Sequence, residues 1–335
     1  MPPPRFPERN GFFRMGRIRN FSELMAAAKQ ARECRPPMRV AVCAAEDASA
    51  ITAMETAARL GLARPVLIGE KRRILGIMRE TGADPALFVI ADVGGEDEKA
   101  EKGVRMIRQG EADILMKGMV PTSTFLHPIF RKENGLSEGF FISHCGVLHV
   151  PGFDRLIIQT DGGINIAPDI EMKKGIIVNS VFVARKLLNI DRPKVALLSA
   201  SEKVHVKIQS TVDARKLAEW AKDAIPEADV EGPLALDLAV SGEAAKRKGV
   251  TGTVAGAADI LVSPNIEMGN VIYKALRHFA NASGAGIVVG AGCPIILTSR
   301  SDPPEEKINA LALAVLYAGH IKEAGYRITK IGKRP

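Results

Sequence analysis

The stretch GIVVGAGCPIILTSRSDPPEEK, residues Gly286 to Lys307, decides the fold. Its two apolar runs, Ile287 to Val289 and Ile295 to Thr298, are rich in β-branched residues and are separated by glycine and proline. Short runs of this kind are typical of strands that are buried on both faces of a parallel sheet. The second run ends abruptly in polar residues, so the stretch predicts a strand that delivers polar groups to a helix.

The helix start after this strand is well marked. Asp302 is predicted as the N-cap, Pro303 as the first helical residue, and Glu305 follows three residues after the cap. Ser299 and Arg300 therefore place a hydroxyl and a guanidinium next to a helix N-terminus, which is a favourable position for an anion. A capped helix with a surface arginine explains the same residues, and the stretch alone does not decide between the two.

Composition indicates a soluble globular protein of about two domains. The chain has 335 residues, of which 46% are hydrophobic and 25% charged, and its mean hydropathy is +0.04. The first twenty residues are rich in proline and arginine and lack the apolar core of a secretory signal, so we expect residues 1–20 to form a flexible arm. Four cysteines without paired metal-type spacing favour a reducing, cytoplasmic location. The six histidines are scattered, and no metal site is predicted.

The net charge of +8 raises the question of nucleic-acid binding. Several arginines lie in the arm, however, and aromatic residues make up only 5% of the chain. Because basic stripes with interleaved aromatics are missing from the sequence, we prefer an enzyme whose small anionic ligands are attracted by the positive potential. We expect no nucleic-acid and no membrane partner.

Strands and helices alternate along most of the chain, which favours a doubly wound, mainly parallel α/β sheet. Residues 141–160 break this rhythm, because two strand-like segments are joined there by a short turn, as in a hairpin. We expect the passage between domains at this point. Beyond it the alternation resumes, with residues 236–248 predicted as one helix.

Three loops after predicted strands carry polar groups at the strand ends, where open α/β sheets bind ligands. Lys117 follows the strand of residues 112–116, and Thr122 and Ser123 open the next helix. Thr124 adds a third hydroxyl, and an N-cap cluster with an exposed lysine explains one of the three but not all of them.

The second loop, TDGGINIAPD, contains Asp161 and Asn165 beside two glycines, and the third, PNIEMGNVIYK, contains Asn270. Glycines let backbone amides approach a ligand. A tight turn with a helix cap is the alternative for the second loop. For the third, a glycine and an asparagine inside a helical pattern indicate either function or tight packing.

Taken together, these loops resemble those of the phosphate acetyltransferase/phosphate butyryltransferase family. The matching stretches are MKGMVPTSTF, ISHCGVLHVPGFDRL, TDGGINIAPD, EGPLALDLAVS, PNIEMGNVIYK and GIVVGAGCPIILTSRSD. They occur in the family's order between Phe21 and Gly319, and two of them, TDGGINIAPD and EGPLALDLAVS, are closer to the butyryltransferase branch.

The resemblance implies reversible transfer of a short acyl group, acetyl to butyryl, between coenzyme A and inorganic phosphate. It implies direct thiolate attack, with coenzyme A as a substrate and no permanently bound cofactor. The implied fold has two α/β domains around a cleft, as in isocitrate and isopropylmalate dehydrogenases, and forms a homodimer or a higher homo-oligomer. We expect residues 21–142 plus 288–335 in the first domain and 143–287 in the second.

By the same resemblance, Ser299 and Arg300 act on the acyl phosphate and the thiol. The family's catalytic carboxylate falls on Glu306, with Asp302 as the competing base. The resemblance places Thr122 at the family's hydroxyl near the phosphate, and Asn165 and Asn270 at its cleft-lining asparagines. From their positions at strand ends, Lys117, Ser123 and Asp161 are further predicted to bind substrate. The sequence departs from the family pattern at four positions: Glu306, which is not the aspartate of the acetyltransferases, and His127, His205 and Gln209.

Two other functions stay open on the sequence alone. The first is an NAD- and metal-dependent dehydrogenase on the related fold, which the missing aspartate cluster disfavours. The second is a basic nucleic-acid-binding protein, which requires binding that depends steeply on salt and survives removal of residues 1–20.

Overall fold

A computed structural model describes residues 16–33, 35–137 and 141–324, with the backbone alone for 322–324. These residues divide into two compact units. The first unit contains residues 21–137 and 285–324, and the second contains residues 16–20 and 141–284.

Eleven strands are present in the part of the chain that the structure describes. Their bounds are β1 Met38–Cys43, β2 Ala63–Gly69, β3 Val89–Asp92, β4 Ile114–Lys117, β5 Ser143–His149, β6 Leu156–Thr160, β7 Lys194–Leu198, β8 Asp229–Leu234, β9 Ile260–Val262, β10 Ser283–Val289 and β11 Ile295–Ile296.

Eleven α-helices accompany them in the same residues. Their bounds are α1 Phe21–Glu33, α2 Ala48–Arg59, α3 Lys71–Thr81, α4 Glu96–Arg108, α5 Thr122–Phe130, α6 Ile170–Phe182, α7 Gln209–Ala224, α8 Leu236–Val240, α9 Gly242–Arg247, α10 Ile266–Phe279 and α11 Pro304–Ala324. No described helix is both long enough and apolar enough to cross a membrane.

In the first unit the strand order is β3-β2-β1-β4-β11-β10. All neighbours pair in parallel except β10 and β11, which are antiparallel. The strand order reverses at β1 and β4, and such a reversal marks the ligand site of open α/β sheets. Because β1, β4 and β11 are parallel neighbours, the loops after all three lie at one edge of the sheet.

The second unit has the order β5-β6-β9-β7-β8, with an antiparallel β5–β6 hairpin and parallel pairs beyond it. Its core is apolar and fully buried at residues such as Leu198, Leu238 and Leu261. The loops after β6, β7 and β9 again share one edge. The predicted mainly parallel α/β architecture and the hairpin at residues 141–160 are confirmed.

Four local predictions differ from the structure. The runs around Ile287 and Ile295 pair with each other in antiparallel fashion, since only a short turn joins them. Strand β8 has no predicted counterpart, and residues 236–248 form two helices because the Ser241 side chain caps the second by accepting the N–H of Ala244. Helix α11 begins at Pro304, one residue later than expected.

Of the predicted flexible arm, residues 1–15 lie outside the described residues. Residues 16–20 are held within the second unit: Ile18 is buried and its N–H donates to the Leu188 carbonyl at 3.0 Å. Arg17 pairs with the buried carboxylate of Asp259. This part of the chain therefore has defined contacts.

Candidate functional site

The loop after β4 is fixed by a buried lysine. Lys117 is 3% exposed, and its Nζ donates to the carbonyls of Gly118 at 3.1 Å and Val120 at 3.2 Å. A Cβ on Gly118 would lie 2.2 Å from the Ala44 carbonyl oxygen, so only glycine allows this loop to approach the end of β1. The loop leads directly to Thr122 and then Ser123, which are exposed in the first turn of α5.

The ammonium of Lys117 has an unusual electrostatic environment. Burial, together with the positive charges of Arg300 and Lys307, lowers the pKa of Lys117 to about 8, although Asp302 and Asp47 oppose the shift. The positive charges of Lys117, Arg300 and Lys307 therefore influence one another at the carboxyl edge of the first unit's sheet. Such a cluster favours an anionic ligand.

The turn after β11 presents the predicted catalytic groups. Ser299, Arg300 and Ser301 are exposed, whereas Asp302 and Glu306 are buried. The Asp302 carboxylate accepts the N–H of Ser299 at 2.7 Å, and the Ser299 and Ser301 hydroxyls are 3.0 Å apart. The sequence predicts Asp302 as the cap of α11; in the structure its carboxylate instead closes the turn, because the helix starts one residue further on.

Lys307 also belongs to this cluster, although sequence reasoning missed it. Its side chain is 1% exposed, and its Nζ donates to the Asp302 carbonyl at 2.6 Å and to the Ser49 hydroxyl at 2.9 Å. One signal was available: a lysine at the start of a long apolar helix is unfavourable with the helix dipole.

In the second unit, Asp161 holds the loop after β6. One carboxylate oxygen accepts the N–H groups of Gly163 at 2.8 Å and Ile164 at 2.9 Å. The other accepts the His144 N–H at 3.0 Å and the Asn165 side-chain amide at 2.7 Å. Because the Asp161 carboxylate accepts four hydrogen bonds, it stabilises the conformation of this loop. That Asp161 binds substrate stays a prediction.

The predicted asparagines are bound to the same loop. Asn165 also donates to the Ile142 carbonyl at 3.0 Å, and Asn270 donates to the Gly162 carbonyl at 3.3 Å. A Cβ on Gly269 would lie 2.4 Å from the Asp161 carbonyl oxygen, which explains the glycine inside α10. The structure therefore brings Asp161, Asn165 and Asn270 together in the second unit.

A cavity of about 840 Å³ opens in the second unit beside the loops that follow β6, β7 and β9. Lys173 and Asp213 form a buried ion pair of 2.7 Å in its wall, and Gln209 donates to the other Asp213 oxygen at 2.7 Å. Burial alone would raise the pKa of Asp213, but the hydrogen bonds from Lys173 and Gln209 outweigh it and lower that pKa. Gln209, one of the positions at which the sequence departs from the family pattern, thus donates a hydrogen bond to this ion pair.

Other groups of chemical interest have structural explanations. Cys43 and Cys145 are fully buried, and burial raises the pKa of each thiol to about 12, which makes them poor nucleophiles. Among the described residues, no three His, Cys, Asp or Glu side chains come together in a way that could hold a metal ion. The described residues therefore contain no group of side chains that could bind the metal ion of a metal-dependent dehydrogenase.

These features define an α/β protein with a cationic, hydroxyl-bearing loop cluster at the carboxyl edge of a parallel sheet. Residues 96–315 match the family model described as Phosphate acetyl/butaryl transferase. The chain belongs to this family, which confirms the resemblance noted in the sequence.

Individual relatives support the assignment. The chain is 41% identical to the phosphate butyryltransferase of Clostridium beijerinckii, over 91% of this chain and 99% of that protein. It is 38% identical to the phosphate acetyltransferase of Rhizobium meliloti, over 91% and 95%. Among solved structures, a branched-chain phosphotransacylase from Enterococcus faecalis matches with a TM-score of 0.73 and 32% identity, over 84% of this chain and 99% of that one.

Proposed function

We propose that this chain is a phosphate acyltransferase that moves a short acyl group reversibly between coenzyme A and inorganic phosphate. The observation that carries the proposal is the turn after β11, which exposes the Ser299 hydroxyl and the Arg300 guanidinium and whose positive charge acts on the buried Lys117 together with that of Lys307, in a chain of this family. The fixed positive charges suit the phosphate or acyl phosphate, since both are anions.

In this proposal, each group of the turn after β11 has a role. Arg300 is exposed, and its planar guanidinium donates two hydrogen bonds to phosphate or to the oxyanion that forms on the carbonyl. The Ser299 hydroxyl donates to the same oxygens. When acyl phosphate is the donor, the coenzyme A sulfur forms the bond to the acyl carbon, and the bond from that carbon to the phosphate oxygen breaks.

The thiol proton needs an acceptor, because a free thiol has a pKa of about 8.5. Glu306 and Asp302 are the two candidates. One oxygen of Asp302 accepts the N–H of Ser299, and both carboxylates are buried, so either can act as the base. The base accepts the thiol proton as the carbon–sulfur bond forms and returns it to the departing phosphate.

Direct attack needs no covalent enzyme intermediate. The high pKa values of Cys43 and Cys145 agree with this, since neither thiol is ionised near neutral pH. Coenzyme A is therefore a substrate, and we propose no permanently bound cofactor.

A cytoplasmic location and a homodimer complete the proposal. Cys43, Cys145 and Cys293 are buried thiols rather than disulfides, which suits a reducing compartment. The homodimer is proposed from the family resemblance alone. Size-exclusion chromatography with light scattering measures it, and a monomer at micromolar concentration contradicts it.

The test of the function is phosphate-dependent release of the coenzyme A thiol from acetyl-, propionyl- and butyryl-CoA, followed with a thiol reagent. We expect saturable dependence on phosphate with at least one of them. One methylene changes discrimination by about 10- to 200-fold, so the three rates also define the chain length. Release that does not depend on phosphate with any of the three would remove the proposal.

A further inference from the structure

We propose that Lys307 is a positioning residue that sets the geometry of the turn formed by Ser299, Arg300, Ser301 and Asp302. The inference rests on the proposed acyl transfer, because the turn carries the groups that meet the acyl phosphate. Lys307 acts on them through Asp302.

The Asp302 backbone is anchored at its carbonyl oxygen. This oxygen accepts from Lys307 Nζ at 2.6 Å and from the Ser49 hydroxyl at 2.9 Å. The Ser49 hydroxyl in turn accepts from Lys307 Nζ at 2.9 Å, and Asp47 Oδ2 lies 3.6 Å from the same nitrogen. Both lone pairs of the Asp302 carbonyl are therefore used, and the start of α2 is tied to the turn.

Asp302 is in turn hydrogen-bonded to Ser299. The Asp302 N–H donates to the Ser299 carbonyl at 3.2 Å, and the Ser299 N–H donates to the Asp302 carboxylate at 2.7 Å. Asp302 thus links the buried lysine to the hydroxyl-bearing residue. Arg300 lies inside the closed turn, so its backbone position depends on the same links.

Packing alone does not account for a lysine at position 307. The side chain is 1% exposed and lies near the start of a mainly apolar helix, where its positive charge and that of Arg300 both act on Lys117. A buried ammonium among like charges is unfavourable unless its hydrogen bonds compensate. An apolar side chain at position 307 would pack in the mainly apolar helix, whereas only a hydrogen-bond donor can bind the Asp302 carbonyl oxygen.

Positional precision of this kind has a large kinetic effect, since a displacement of about 1 Å in an active site can cost about 100-fold in rate. We therefore expect Lys307→Met to lower kcat by about 10- to 100-fold. The value of KM should change much less, because Lys307 is buried and the exposed groups Ser299 and Arg300 remain. Ser49→Ala removes one of the two donors to the Asp302 carbonyl and should give a smaller decrease in the same direction.

The experiment measures kcat, KM and hydrogen exchange of the peptide covering residues 297–303 for wild type, Lys307→Met, Ser49→Ala and Arg39→Gln. Arg39 pairs with Asp113 at the opposite edge of the same sheet and is the control for loss of an ion pair. We expect faster exchange in this peptide for the first two variants and wild-type exchange and kcat for the control.

The possible outcomes separate the inference from the proposed function. If wild type shows no phosphate-dependent thiol release, the function fails, and the exchange data still test the turn. If folded Lys307→Met keeps wild-type kcat and exchange, the positioning role is overturned. If Lys307→Met does not fold, Ser49→Ala decides: wild-type exchange and kcat in that variant also overturn the inference.

Discussion

The loop clusters of the two units use the same kinds of polar residue in opposite ways. In the first unit, buried lysines and Asp302 hold the backbone, and the Ser299 and Arg300 side chains remain exposed. In the second unit, the carboxylate of Asp161 and the amide of Asn165 are bonded to their own loop. Side chains that match a family motif thus divide into those that stay exposed at the end of a strand and those that hydrogen-bond to their own loop.

The largest expected effect is that of Arg300→Gln on catalysis. The guanidinium is exposed, so we expect unfolding to be unchanged, while kcat falls by about 100- to 1,000-fold, as for loss of one oxyanion donor. Steady-state thiol release and thermal unfolding on the same samples measure both. The Arg39→Gln control should keep wild-type kcat, and a similar loss in that control would point to a general defect of the unit.

In the second unit the corresponding change is Asp161→Asn, which should act on stability. The substitution places an NH₂ donor among four donors and removes the charge that attracts them. We expect a loss of about 2–4 kcal/mol in the free energy of unfolding, measured with urea.

The control for this change is Asp154→Asn, because the Asp154 side chain is 78% exposed in the same unit. It should stay within about 0.5 kcal/mol of wild type. Equal losses in the two variants would contradict a loop-building role for Asp161.

A smaller effect is expected from Gly269→Ala, which tests the packing of α10 against the same loop. The added methyl would lie 2.4 Å from the Asp161 carbonyl oxygen and 2.9 Å from Gly162 Cα. Overpacking of this kind costs about 1–3 kcal/mol, measured by urea unfolding.

Gly76→Ala is the matched control, since Gly76 also lies within a helix but has no neighbouring atom within 4 Å of the position that an added methyl would take. It should be neutral or stabilising by up to about 1 kcal/mol. A stability gain in Gly269→Ala as well would show that the α10 contact is looser than the structure indicates.

The smallest expected effect is the contribution of Lys117 to the change of the free energy of unfolding with pH. Its pKa of about 8 in the folded protein lies below the value of 10.5 for an unperturbed lysine, so the unfolded chain binds more protons between these values. Stability should therefore rise with pH in this window relative to Lys117→Met. Urea unfolding of both proteins at several pH values from about 7 to about 10 measures the difference, and a difference that stays flat would mean that Lys117 titrates normally.

The sequence predicts much of this fold because buried strands of a parallel sheet leave a strong local signal. Strands β1, β4 and β7 are mainly apolar and are predicted, whereas β8, DVEGPL, pairs only with β7 at the edge of its unit and is half-buried over most of its length. An edge strand needs no continuous apolar run, so its pattern is weak.

The site is less predictable, because local sequence does not show which polar groups meet. Ser299 and Arg300 are predicted from the strand end and the family motif. Lys307 was missed because its burial depends on Ser49 and Asp47, which precede it by most of the chain length. The sequence also does not indicate that Asp161 accepts four hydrogen bonds.

The most direct test of the division of tasks between the two loop clusters is a paired measurement on Arg300→Gln and Asp161→Asn. It determines kcat per folded molecule and the free energy of unfolding from the same preparations. We predict that Arg300→Gln loses activity at wild-type stability and that Asp161→Asn loses stability. An unstable Arg300→Gln, or an Asp161→Asn protein as stable as wild type, would contradict this division.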